Sequence, residues 1–204
     1  MLKPLGLFVF LLLPAALLAQ NPKSAIGGEG SLWAGGEVSV FNPDYGCPSN
    51  LPFNCTYDLY GATALFDFNL HPKWGAEGEA RWLHWNGDGN EVESNYLLGP
   101  RYKVYRANRF NFWVKMMMGG GWVTTPTYPE AGGLKGSYFV YSPGATVEYR
   151  LSHRLNVRAD YEFQFWPSFT GPTAYSSSGT PLPTGNGLTP NGLSVGVTYR
   201  FLGQ

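Results

Sequence analysis

The sequence predicts an all-β protein, an eight-stranded antiparallel up-and-down transmembrane β-barrel. Three observations lead there. Eight stretches between Ser31 and Phe201 alternate strictly, with charges on one parity and apolar or aromatic residues on the other. The connections between them alternate short and long. An apolar leader opens the chain. Successive strand side chains point to opposite faces, so each stretch has one oily and one ionic face. A soluble sheet turns its oil inward once. Eight such strands with no helical pattern to cover them imply a sheet closed on itself, charges inside and lipid outside.

The elements follow in order. The stretch 31–41 carries Glu37 on its ionic parity, with Phe41 assigned outward. In 57–70, Asp67 points inward against outward Tyr60, Ala62 and Ala64. The stretch 74–86 places Glu77, Glu79 and Arg81 on one face and Trp74 and Trp82 on the other. Arg101 and Lys103 oppose Tyr96 and Leu98 in 94–105, and Lys115 opposes Phe112, Val114 and Met116 in 110–123. In 137–151, Glu148 and Arg150 face in, while Val147, Tyr149 and either Tyr138 or Tyr141 face out. The stretch 155–166 is the cleanest: Asn156, Arg158, Asp160, Glu162 and Gln164 alternate with Leu155, Val157, Ala159, Tyr161, Phe163 and Phe165. The last, 189–202, holds Arg200 inward and Val195 and Phe201 outward. These spans are long enough to cross a bilayer, which takes about 9–11 tilted residues.

Turn lengths give an independent signal. His71–Lys73, Arg106–Arg109 and Ser152–Arg154 are short, whereas 42–56, 87–93, 124–136 and 167–188 are mostly longer and rich in Gly, Pro, Ser and Asn. Tight periplasmic turns and larger external loops are the pattern of outer-membrane barrels. Charge sign divides along the same axis. The short turns carry Lys73, Arg106, Arg109 and Arg154, while Asp44, Asp58, Asp88, Glu91, Glu93 and Glu130 lie around the long loops against Lys135. The basic end would face inner-leaflet phosphates, and the acidic end could hold divalent cations shared with surface glycolipid. Aromatics near both strand ends fit interfacial girdles.

With 44% hydrophobic and 14% charged residues in 204, the composition suits a single β domain. Zero formal net charge offers nucleic acid no electrostatic partner. Lys3 followed by an apolar run from Leu5 to Ala19 reads as a signal peptide, residues 1–19, too short for the roughly 20 residues of a spanning helix. Residues 20–30 are then a periplasmic N-terminal segment and 31–202 the barrel. Cys47 and Cys55 close a short external loop, and in an exported protein they read as a disulfide contributing roughly 2–3 kcal/mol by chain entropy.

The inward acids Glu37, Asp67, Glu77, Glu79, Glu148, Asp160 and Glu162 are matched in number by inward Arg81, Arg101, Lys103, Lys115, Arg150, Arg158 and Arg200. An eight-stranded barrel has an interior just wide enough for side chains to fill, and buried charge is tolerated when paired. The expectation is a packed ionic plug; a gated ion path is the alternative. Carboxylates two apart, such as Glu77 and Glu79, share a strand face and read as structural rather than catalytic. His84 lacks a motif that would make it part of a hydrolytic triad. Gly119–Gly121 follows Met116–Met118 without the Lys-Ser/Thr of a phosphate loop, and reads as a flexible exit or a bend in the wall. No catalytic, cofactor or metal-binding set is expected.

In its strands, leader, long loops and closing strand Leu193-Ser-Val-Gly-Val-Thr-Tyr-Arg-Phe201, the chain resembles the small OmpA/OmpX-like outer-membrane β-barrel family. The resemblance covers residues 31–201. It implies insertion by the barrel-assembly machinery, which reads an aromatic-ended last strand, although Leu202, Gly203 and Gln204 follow Phe201 here. It also implies a structural or surface-interaction role, with a narrow channel or a lipid A-modifying enzyme as alternatives. The peptidoglycan-binding domain of OmpA has no counterpart in the sequence, so cell-wall tethering is not expected.

Overall fold

A computed structural model describes residues 30–44, 58–85, 91–124, 135–170 and 186–203. The expected signal peptide and the Cys47–Cys55 pair lie outside these residues. The strands are β1 (Ser31–Asn42), β2 (Leu59–Asn69), β3 (Trp74–Trp85), β4 (Glu91–Ala107), β5 (Phe110–Thr124), β6 (Lys135–Arg150), β7 (Leu155–Phe163), β8 (Trp166–Thr170), β9 (Asn186–Leu188) and β10 (Asn191–Leu202). Eight of them close a barrel in the order β1-β10-β7-β6-β5-β4-β3-β2, with every neighbouring pair antiparallel. The closing seam pairs Val38 with Val195 and Ser39 with Ser194. Inside it, the Ser39 hydroxyl lies 2.7 Å from that of Ser194 and 2.8 Å from that of Thr63, joining the first, second and last strands. Among the described residues no helix is long and apolar enough to cross a membrane; the crossing elements are strands.

The wall follows the alternation. Val38, Leu98, Val114, Met116 and Val195 are exposed at mid-height, where hydrocarbon would meet them. At the short-turn end a girdle runs through Trp74–Tyr102, Tyr105–Phe112, Phe110–Tyr149 and Tyr199–Phe201. At the other end Trp82, Tyr96 and Trp122 meet edge to face, and the Trp82 indole donates to the Tyr96 hydroxyl at 3.1 Å. Such rings settle where one edge is apolar and the other wet. A barrel held by a continuous ladder of strand hydrogen bonds resists detergent at room temperature. The protein is therefore expected to migrate faster unboiled than boiled on a denaturing gel; identical migration would contradict a closed barrel.

Several expectations change. Phe41 is not outward: it shares the parity of Glu37 and Ser39 and is buried in the lumen with Leu59 and Leu83. Of the two β6 candidates, Tyr141 faces out, while Tyr138 packs inward against Trp166 and Phe169. Gly119–Gly121 is neither exit nor bend but regular β5, paired with both β4 and β6. Glu91 and Glu93 belong to β4 rather than to a loop, and both are fully buried because the β3–β4 ladder continues up to Trp85 opposite Glu91. Finally, the 155–166 stretch splits. The wall strand ends at Phe163, and β8 pairs with β9 in a separate two-stranded sheet while Gln164 and Trp166 keep the inward parity.

Candidate functional site: the layered lumen

The lumen is stacked in three layers, and each follows from which strands bring their inward residues to that height. At the long-loop end the β8–β9 hairpin folds in. Trp166 is fully buried in an apolar cluster with Leu97, Met117, Val123, Val140, Phe169 and Leu188. Its indole donates to Gln164 Oε1 at 2.9 Å. Gly121 makes the space: a Cβ there would sit 2.3 Å from the Trp166 ring, closer than atoms can approach. Across the barrel, Phe41, Leu59 and Leu83 form a second apolar cluster.

Below lies an ionic layer of four bases and seven acids. Arg81 holds Glu162 with both terminal nitrogens, at 2.7 and 3.1 Å, and Glu79 at 2.9 Å, with its guanidinium 4.3 Å from the Phe41 ring centre. The Lys115 ammonium contacts Glu77 at 2.8 Å, Glu162 at 2.9 Å, Asp160 at 3.1 Å, and Glu79. Arg158 reaches Asp160 at 2.5 Å, Glu37 at 2.8 Å, Glu77 at 2.9 Å and Asp67 at 3.2 Å. Arg101 binds Asp67 at 2.5 Å, Glu77 at 3.0 Å, and Glu148, whose second oxygen accepts from the Trp113 indole at 2.9 Å. Ser142 and Thr146 donate to Glu162 and Asp160, and Thr63 accepts from Arg81. Two of these pairs cross the whole barrel. β3 and β7 stand diametrically opposite in the strand order, and both Arg81–Glu162 and Arg158–Glu77 join them. Glu77, Glu79 and Asp160 converge closely enough to suggest a cation site, but the Lys115 ammonium already contacts all three.

At the short-turn end the lumen widens into a cavity of about 140 Å³. Lys103, Arg150 and Arg200 line it. All three were expected in the charge network and all three do point inward, yet none makes an ion pair among the described residues. Lys103 instead lies 4.5 Å from the Trp113 ring centre and Arg200 5.6 Å from that of Trp33. The balance of seven against seven is thus split along the axis. The sealed layer has a formal excess of three negative charges, and the vestibule holds three bases. Parity along a strand fixes a face but not a height, because height depends on register between strands. Glu93, expected around a long loop, also lies inside, and its carboxylate accepts from buried Asn95 at 2.9 Å. Extending the odd parity of Asn95 and Leu97 backwards would have found it.

A closed eight-stranded wall with an oily exterior, two aromatic girdles and an ion-filled interior defines an outer-membrane β-barrel of bacteria. The chain belongs to the outer membrane protein beta-barrel domain family, which it matches over residues 7–201. It is similar in fold to Neisserial surface protein A, at 7% identity and a TM-score of 0.59, covering 84% of this chain and 97% of that one. Ail, the attachment invasion locus protein of Yersinia pestis, shares 15% identity at a TM-score of 0.51, over 85% of this chain and 99% of Ail. The N-terminal β-barrel domain of Pseudomonas aeruginosa OprF shares 12% identity at a TM-score of 0.51, over 85% of this chain and 98% of that domain. No curated protein sequence matches significantly.

Proposed function

We propose that the protein is a non-enzymatic structural and surface-interaction barrel, non-conducting at rest, that supports the envelope and presents its long loops outside the cell. The observation that carries this reading is the pair of wall-to-wall bridges, Arg81–Glu162 and Arg158–Glu77, beneath a fully buried Trp166. A guanidinium held by carboxylates from opposite strands fills the bore, and breaking it to admit an ion would leave buried charges unpaired. The wall engages outer-membrane lipid and glycolipid, and insertion depends on the barrel-assembly machinery reading the last strand. Ail has been crystallised with the heparin analogue sucrose octasulfate. A polyanion of that kind suits this chain poorly, because its long-loop end is acidic: Asp44, Asp58, Asp88 and Glu130 outnumber Lys135. Cationic or metal-bridged partners fit better.

The test is conductance of the refolded protein in a planar bilayer. Rare, brief openings or none are expected. Steady ohmic current from the wild type would replace this reading with that of a narrow channel.

A further inference from the structure

We propose that the basic vestibule at the short-turn end binds a small hydroxyl-bearing phosphate ester entering from the periplasm. The inference is independent of the surface role above.

Three features of the cavity point to this chemistry. Lys103, Arg150 and Arg200 come from β4, β6 and β10, alternate strands around one half of the barrel, so their charges converge from separate directions. The one lining carboxylate, Glu148, is already taken by Arg101 and the Trp113 indole. Every base in the layer above is ion-paired with two or more acids, and among the described residues these three form no ion pair. They attract an anion, and a phosphate offers several oxygens to such a cluster.

The second feature lies between the bases. The strands separating them, β5 and β7, contribute Asn111 and Asn156, which are 5% and 4% exposed. The Oδ1 of each is buried without a hydrogen-bond partner. A buried carboxamide oxygen left unpaired destabilises the fold, and a donor brought by a ligand relieves it. The phosphoryl oxygens of a dianionic ester have no hydrogen to give them; a hydroxyl on the same ligand does. The third feature is apolar: the indoles of Trp33 and Trp113 are part of the lining, giving the carbon skeleton of a polyol an apolar border beside the bases that sit over their rings. The volume, about 140 Å³, far exceeds the roughly 10–15 Å³ one water needs, so a polyatomic ligand fits.

Glycerol phosphate has this chemistry both as a free solute and as the headgroup of phosphatidylglycerol. The cavity is lined by lumen-facing strand residues and by His71 and Pro72 of a short turn, which favours the free solute over a lipid headgroup. Calorimetric titration separates the two, using the full barrel refolded in an uncharged polyoxyethylene detergent. With sn-glycerol 3-phosphate as probe, saturable binding is expected. Arg150→Gln and Arg200→Gln should each weaken it about tenfold or more, as loss of a charge-assisted hydrogen bond implies. Lys103→Gln/Arg150→Gln/Arg200→Gln should abolish it. Arg154→Gln, on a turn outside the cavity, should leave it unchanged. Asn111→Leu should weaken glycerol phosphate more than methyl phosphate, whose dianion has no hydroxyl, a readout that a general charge effect would not move.

Folding is checked by gel migration, and the neutralised barrel is expected to fold about as well as wild type, since none of the ion pairs of the buried layer is broken. Three results would overturn the proposal: no saturable binding by wild type, equal binding by the triple variant, or binding of phosphatidylglycerol in mixed micelles with none of the free ester.

Discussion

Arg158→Ala is expected to lower the stability of the refolded barrel by about 3–5 kcal/mol, the usual loss when one partner of a buried ion pair is removed. The residue contacts Glu37, Asp67, Glu77 and Asp160, drawn from four strands, and its own side chain is fully buried. Its removal leaves a layer that already has more acids than bases with a further excess negative charge. Two substitutions frame the result. Ala159→Leu, one residue along and outward, adds apolar surface facing lipid and should be nearly silent. Arg200→Ala removes an inward base that has no ion pair, and should shift stability by roughly 0.5 kcal/mol or less. Urea midpoints in lipid vesicles report all three. If Arg158→Ala and Arg200→Ala shift the midpoint equally, inward position alone sets the effect and the ionic layer has no special role.

Trp166→Ala should free the β8–β9 hairpin without opening the wall. Truncating a fully buried Trp costs about 3–5 kcal/mol where neighbours cannot collapse into the space. Here the indole packs beside Gly121, Met117 and Val140, and it donates to Gln164. The hairpin is a separate two-stranded sheet, and an isolated pair of strands is marginal in water. The loss therefore falls on local detachment rather than on global unfolding. The variant is expected to keep its heat-modifiable migration while protease cuts newly within 166–170. Gly121→Leu, which drives a side chain into the ring's position, should give the same cleavage from the opposite side of the contact. Protection of that segment in both variants would mean that Trp166 does not anchor the hairpin.

The barrel was legible because one physical rule, opposite faces at period two, acts at every residue of every strand. The inward assignment of all fourteen charges came from that rule, and so did the eight wall strands. What stayed hidden depends on distances the alternation does not contain. Lys103, Arg150 and Arg200 have the same parity as their neighbours Arg101, Glu148 and Thr198, and only inter-strand register separates vestibule from sealed layer. Gln164 and Trp166 continue the inward parity of β7 without interruption, so nothing in the pattern shows that the backbone has left the wall. Phe41 was misread for a different reason: an aromatic near a strand end suggests an interface, yet its odd number already matched Glu37. Between Tyr138 and Tyr141 the sequence leaves the choice open, and it is decided by the hairpin that covers Tyr138.

The ladder of pairs between β3 and β7 also bears on how the chain can fold. Arg81 and Glu162 are 81 residues apart, and so are Arg158 and Glu77. Neither bond can form inside a single hairpin, nor within any run of neighbouring strands short of half the circle. A partly assembled sheet in lipid would present these charges to hydrocarbon, or hold them unpaired on an open concave face. Contacts that distant in sequence form late and slowly. The ionic layer thus acts as a cooperativity device: partial insertions gain almost nothing from it, and the closed circle gains all of it at once. Membrane insertion by this chain should accordingly populate few intermediates, with first and last strands joining in the same kinetic step that neutralises the bore.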